Sequence, residues 1–348
     1  MWVSAMLASD FFKSLTWEGL MKHVSKTFAL VLGLGLGAQI ALAADYPSKP
    51  INMVIPYGTG GATDISARTL AAPLGKLVSQ PLLMVNKTGA GGVTGSFAVA
   101  NSKNDGYTLL FARVGTHSVN PALKESVPYK LSDFDYIGVY EINPVACVVH
   151  PDSGFKGMQD VADAVKKAPG KITFSSSGVG TLPMLASVMV LREFGVKEPT
   201  KQATHIPMKS DGDGATAVLN KTATFFCGNS SALASFVANK QLKPMLVTTA
   251  EPVVGFDAPT SADLKKPNLQ KLVGWTGLAG PKGMPKEAVS MWRDVLSKAV
   301  TDKDFLTQMQ SKGSQINMMG PDESKQFIED QYKAFRAIVD ELGIRIKG

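Results

Sequence analysis

The chain has 348 residues, a formal charge of +7, 45% hydrophobic and 19% charged residues. That is the composition of an ordinary folded protein with core enough for two domains. The basic excess is spread, with no Lys/Arg cluster interleaved with aromatics, which excludes a nucleic-acid partner and leaves steering of an anionic ligand as its simplest use.

Met21-Lys22-His23 and Lys26 make a positive start, residues 28–41 are apolar and small, and Ala41-Leu42-Ala43 supplies a small-x-small cleavage site. This order is a secretory signal, so residues 1–43 are expected to be a cleaved signal peptide with an upstream extension, and Met21 the true start. The apolar run is shorter than the roughly 20 residues of a membrane span.

Beyond it, strands at 51–55, 82–85 and 107–112 alternate with helices at 62–77 and 92–101. A second set follows, with strands at 147–150, 172–175, 203–206, 224–227 and 244–248 and helices at 158–168, 182–194, 212–219 and 232–238. Strands spaced by helices predict two α/β units built from parallel βαβ segments, joined near 140–145. From Trp275 on come one strand and two amphipathic helices, at 285–300 and from Pro321-Asp322-Glu323 to Leu342, placed to cover the first unit.

Between the first strand and helix stands Pro56-Tyr57-Gly58-Thr59-Gly60-Gly61-Ala62-Thr63-Asp64. Small residues let a ligand approach the backbone, and the free N–H groups and dipole of a helix start favour an anion. Thr59 and Thr63 add hydroxyls, while Asp64 reads as a helix cap. Ser175-Ser176-Ser177-Gly178-Val179-Gly180-Thr181 repeats the arrangement in the second unit. Either loop alone is also a plain glycine turn; one per unit, at strand C-termini, reads as a ligand clamp. Gly115-Thr116-His117 and Gly228-Asn229-Ser230 follow other strands and complete the pocket. His117 either donates to a carboxylate or is merely solvated. Arg113 and Lys209 are the nearest counter-charges, and otherwise surface residues.

Catalytic motifs are missing. There is no P-loop, Gly89-Ala90-Gly91-Gly92-Val93-Thr94-Gly95 misses the dinucleotide spacing by one residue, and Gly-x-Ser-x-Gly does not occur. His117, His150 and His205 lack metal-ligand spacing. No enzyme activity, metal or cofactor is expected. Cys147 and Cys227 fit one disulfide in an oxidising compartment, or two buried thiols.

Four motifs in register carry a resemblance: Gly60-Gly61-x-x-Asp64 with Arg68, Asn86-x-x-Gly89-Ala90-Gly91-Gly92, Asp105-Gly106-Tyr107-Thr108-Leu109-Leu110, and Trp275-x-Gly277-Leu278-x-x-Pro281-x-x-x-Pro285. Over residues 45–345 the chain resembles the substrate-binding proteins of tripartite tricarboxylate transporters, the Bug family. The resemblance implies an α/β Venus-flytrap fold of two lobes, each a mixed sheet flanked by helices, with 44–143 plus 251–348 as lobe 1 and 144–250 as lobe 2. Crossing segments would fall near 140–147 and 251–275. It implies a monomer that captures a small carboxylate in the periplasm for a transporter with a large and a small membrane subunit. It implies that the loops matching Tyr57–Asp64 and Ser175–Thr181 meet the ligand carboxylate; with the further loops read above, the candidate ligand set is Tyr57, Thr59, Gly60, Gly61, Asp64, Thr116, His117, Ser176, Ser177, Gly178, Gly180, Thr181, Gly228 and Asn229. In such a crossover fold Cys147 and Cys227 lie on neighbouring strands, able to bond. Two departures stand out: the family often has prolines where Gly58 and Thr59 stand, and polar residues with a histidine where this chain has Leu182-Pro183-Met184. The apolar wall points to an aromatic or hydrophobic acid. An exported α/β hydrolase and a sensor subunit that presents its ligand to a membrane kinase are the alternatives.

Overall fold

The computed structural model describes residues 46–347; the expected signal peptide lies outside them. Lys49–Gly348 forms one compact α/β unit. Strands β1 (Ile51–Ile55), β2 (Leu82–Asn86) and β3 (Thr108–Arg113) are parallel, with β1 in the middle. Helices α1 (Ala62–Leu77) and α2 (Val93–Ala100) make the two crossovers. A π-helical turn, Gly115–Val119, and the short helix α3 (Asn120–Leu123) follow β3.

The longest strand, β4 (Phe134–Val149), threads two sheets. Its first part, to Pro144, pairs antiparallel with β9 (Val273–Pro281), which in turn pairs with β3. From Val145 on, β4 pairs with β7 (Phe225–Asn229) on one side and, from Ala146, with β8 (Lys243–Val247) on the other. Beyond β7 the strands β5 (Thr173–Ser176) and β6 (Thr204–Pro207) are parallel. The sheet order is therefore β2-β1-β3-β9-β4-β7-β5-β6, with β8 and the two-residue β10 (Gln315–Ile316) added against β4.

Alternation along β4 shows why its second half is so apolar. Val145, Cys147 and Val149 face one core with Phe174 and Phe225, while Ala146 and Val148 face another with Phe226 and Leu233. A strand buried on both faces needs apolar residues at every position. Helices α4 (Met158–Lys167) and α5 (Leu182–Glu193) belong to the first core. Helices α7 (Asp211–Leu219) and α8 (Ser230–Ala238) belong to the second; α6 (Pro199–Gln202) is a single turn before β6. Of the C-terminal helices, α9 (Lys286–Ala299) and α10 (Lys303–Gln310) pack on α1, and α11 (Pro321–Leu342) on β4 and the turn after β3. The last third thus returns to cover the first sheet. Among the described residues no helix is long and apolar enough to cross a membrane.

The sulfurs of Cys147 and Cys227 are bonded, and the two residues are Cα partners across β4 and β7 with Cα atoms 3.9 Å apart.

Candidate ligand-binding site

Four helix N-termini meet at one small cavity of about 20 Å³, roughly the room of a water molecule in this arrangement. Gly61, Ala62 and Thr63 bring the start of α1, and Thr181, Leu182 and Pro183 the start of α5. Asp211 heads α7 and Asn229 precedes α8. Gly61, Thr181 and Asn229 are buried N-cap residues, and none makes a side-chain cap bond to its own helix. An exposed helix start can use water for its free N–H groups; a buried one needs a partner. Two of these residues could have served as caps but are turned elsewhere. Thr181 Oγ1 donates to the Gly178 carbonyl (2.7 Å), and Asn229 Nδ2 donates to Asp211 Oδ2 (2.6 Å).

The loops are shaped from behind. Asp64 Oδ2 accepts from Gly60 N (3.0 Å), and its Oδ1 accepts from Arg68 Nε and Asn86 Nδ2 (both 2.9 Å). Gly60 sits at φ +73°, a conformation glycine adopts without strain. In the second loop Ser176 Oγ accepts from Gly178 N (3.0 Å) and lies 2.6 Å from His205 Nε2. Burial pushes the His205 imidazole down to about 4, so it is neutral near pH 7. The first loop also meets the turn before α7: Gly58 N donates to the Lys209 carbonyl (3.2 Å).

Arg113, at the end of β3, is 3% exposed and lines the same cavity. Its Nη1 lies 3.6 Å from Glu141 Oε2 and donates to Thr276 Oγ1, while Nη2 has no partner among the described residues. Glu141 is fully buried and accepts from Thr276 Oγ1 (2.6 Å), Asn143 Nδ2 (2.7 Å) and Ser314 Oγ (2.8 Å). The carboxylate thus holds the guanidinium in place and leaves one edge of it for a guest. Tyr57 closes another wall, and burial raises its hydroxyl pKa, keeping it a neutral donor.

A family model described as the tripartite tricarboxylate transporter family receptor matches residues 66–344. The chain belongs to this family. It is 27% identical to protein BugT of Bordetella pertussis over 90% of this chain and 95% of that one. Among solved structures, it resembles one described as a periplasmic transporter at 29% identity, covering 86% of this chain and 99% of that one with a TM-score of 0.80. The periplasmic binding protein BugD is 26% identical, covering 87% of this chain and 100% of the other with a TM-score of 0.81. As a member, the chain is a solute-binding receptor.

In the receptor, Tyr57, Gly61, Ser177, Thr181 and Asn229 line the cavity. Thr59 and Gly60 are exposed and lie off the lining. Asp64 and Ser176 are buried supports of their loops, bonded as described above. Gly178 lines an adjoining cavity of about 360 Å³ that shares Tyr57 and Ser177 with the first. Gly180 (φ +80°) packs on Asn120, and Gly228 packs on Phe226. Thr116 lies behind the wall, donating to the Arg113 carbonyl (3.0 Å). His117 is fully buried among Tyr129, Phe134, Tyr136 and Trp275, with Nδ1 2.7 Å from Thr116 Oγ1. Burial lowers its pKa to about 3. Of the two basic residues considered, Arg113 lines the cavity and Lys209 the adjoining one. Ala62 and Gly115, from loops singled out in the sequence, also line the cavity, as do Asp211 and Val114, which no motif announced.

Proposed function

We propose that this receptor is an exported, non-catalytic protein that captures one small organic carboxylate in the cavity between residues 57–63 and 177–183. The reading rests on one observation: three buried, uncapped helix starts and the unpartnered Arg113 Nη2 surround a single cavity. A carboxylate accepts from all of these and is favoured by the helix dipoles. On this reading residues 44–143 plus 251–348 and residues 144–250 are two lobes. They move about β4 near residues 140–145 and about the return segment 251–275, and the bound solute stabilises the closed form. Leu182 and Pro183 supply the apolar wall expected for an aromatic or hydrophobic acid. Delivery is to a large and a small membrane subunit, from the periplasm, by the receptor as a monomer.

The Ser176–His205 contact is what a hydrolase reading would use, since a nucleophile beside a neutral base is its signature. Ser176 is fully buried, off the cavity lining, and bonded within its own loop, which supports a structural role.

The test is thermal unfolding against a panel of aliphatic and aromatic carboxylates. A ligand at 100 times its Kd adds about 2.7 kcal/mol to the folded state. A shift with one chemical class supports the reading and names the class. No shift with any acid, together with no small molecule released on denaturation and detected by mass spectrometry, would sink it.

A further inference from the structure

A groove of about 660 Å³ lies where β4 begins, β9 ends and helices α9 and α11 start. Thr276 of β9 meets Arg113 at the solute cavity, whereas the groove opens beyond Pro281, roughly 17 Å further along the strand. A guest here does not compete with the solute. Lys282, Lys286, Arg293 and Lys325 line the groove with two carboxylates, Asp135 and Asp322. Asp135 is used by the fold: its Oδ1 accepts from Lys282 Nζ (2.8 Å) and its Oδ2 from Gly283 N (2.8 Å) and Met284 N (3.0 Å). Lys286, Arg293 and Lys325 are exposed, and among the described residues none of them makes an ion pair. Only Asp322 stands against these three, so the free charge of the groove is positive. Helices α9 and α11, neither with a side-chain cap, add the positive ends of their dipoles. Between the charges the floor is apolar, built from the buried Phe134, Tyr136 and Met284.

A flat basic face would suit an anionic membrane. A basic rim around an apolar hollow suits a peptide, whose carboxylates pair with the rim while one apolar side chain fills the hollow and loses its water there. We propose that this groove is the docking site for an acidic segment of the membrane transporter, one that carries an apolar anchor among its carboxylates. This rests on the delivery reading above and adds the surface that delivery needs. On the lobe assignment proposed above, every residue lining the groove belongs to lobe 1. The groove therefore keeps its form through opening and closing, and the receptor docks loaded or empty with the same contacts.

The experiment measures binding of the labelled, exported chain to membrane vesicles with the periplasmic face outward, made with and without the large and small transporter subunits. Wild type should bind only the vesicles that carry the subunits. Its affinity should fall at least about tenfold between about 50 and about 500 mM salt, an arm that needs no variant to fold. Lys286→Glu/Arg293→Glu/Lys325→Glu should weaken binding at least about thirtyfold, while Lys286→Arg/Arg293→Lys/Lys325→Arg stays within about threefold. Ser290→Trp, which fills the hollow without changing its charge, should weaken binding about tenfold. All four positions are exposed, and an unchanged Tm checks that each variant is folded. Wild-type binding that ignores salt, or a charge-reversed chain that binds as wild type does, overturns the groove and leaves delivery standing. Equal binding to vesicles without the subunits makes lipid the partner and also overturns it. Binding to neither kind of vesicle overturns both the groove and the delivery reading.

Discussion

Replacing Arg113 by Met tests whether the charge network beside the cavity is desolvated as the structure has it. Glu141 is fully buried, and Arg113 is the one cation paired with it among the described residues. Removing one partner of a buried pair costs about 3–5 kcal/mol, because the other charge is left uncompensated. Here Thr276, Asn143 and Ser314 still donate to Glu141 within 2.8 Å, so the lower end applies, about 3 kcal/mol. Methionine keeps most of the side-chain stem and so limits the packing loss. Arg113→Met/Glu141→Gln removes both charges and should recover about 2 kcal/mol of the deficit. Urea unfolding with a shared m-value measures both variants, and the single variant should lose roughly 6 °C in Tm. A single variant within about 0.5 kcal/mol of wild type would show that the pair is hydrated. A double variant no better than the single would show that packing, not charge, is the cause.

Thiol titration of denatured, unreduced protein should find no free thiol, and two after reduction. Because the bond closes a separation of 80 residues, Cys147→Ala/Cys227→Ala should lose up to about 4 kcal/mol. His117, with its folded pKa near 3 and an unfolded value near 6.5, is protonated first in the unfolded chain. Its contribution is whole above pH 6.5 and declines as pH falls toward 3, by about 2 kcal/mol at pH 5. Comparing pH 7 with pH 5 by urea titration, His117→Phe should lack that part of the slope; an unchanged slope would show that His117 is not buried and neutral. Gly91 lies at φ +69°, and a Cβ there would stand 2.3 Å from the Val179 carbonyl in the second loop. Gly91→Ala should therefore weaken solute affinity by about tenfold or more by opposing loop approach, with a smaller effect on the urea midpoint; unchanged affinity would separate this contact from binding.

Legibility in the sequence followed locality. The loops at 56–64 and 175–181 could be read because each is a run of small residues where a period of two gives way to a period of 3.6. By contrast, the strand pattern showed only 147–150 of β4, which spans Phe134–Val149. Gly138 and Pro144 look like strand breakers, yet Gly138 sits at a register shift, and Pro144 closes the ladder to β9 just before Val145 opens the one to β7. A proline, with no N–H to give, is tolerated at such a change of partner. Helix α10 went unseen because it offers only Phe305 and Met309 to the core, although Asp302 caps it at Asp304 N and Phe305 N. Arg113, Glu141 and Thr276 form a site only through pairings of β3 and β4 with β9, at separations of up to 163 residues. No local pattern encodes such a meeting. His117 reads as a loop donor because the residues that bury it, from Tyr129 to Trp275, are distant in sequence.

The unfilled helix starts carry the argument from stability to function. A side-chain N-cap contributes about 1 kcal/mol, and Thr181 and Asn229 are residue types that make one. Turning both away leaves roughly 2 kcal/mol of capping unmade around one buried cavity, and α1 starts on a glycine that has no side chain to cap it. An exposed start such as that of α9 has water for this purpose. On the proposed two-lobe reading, the buried ones are satisfied by opening to solvent or by a ligand, so closing the cavity empty is disfavoured and closing it around an anion is not. On that reading, free energy that a well-capped protein would put into its own stability is reserved for the solute, and a preference for the filled closed state follows from the backbone.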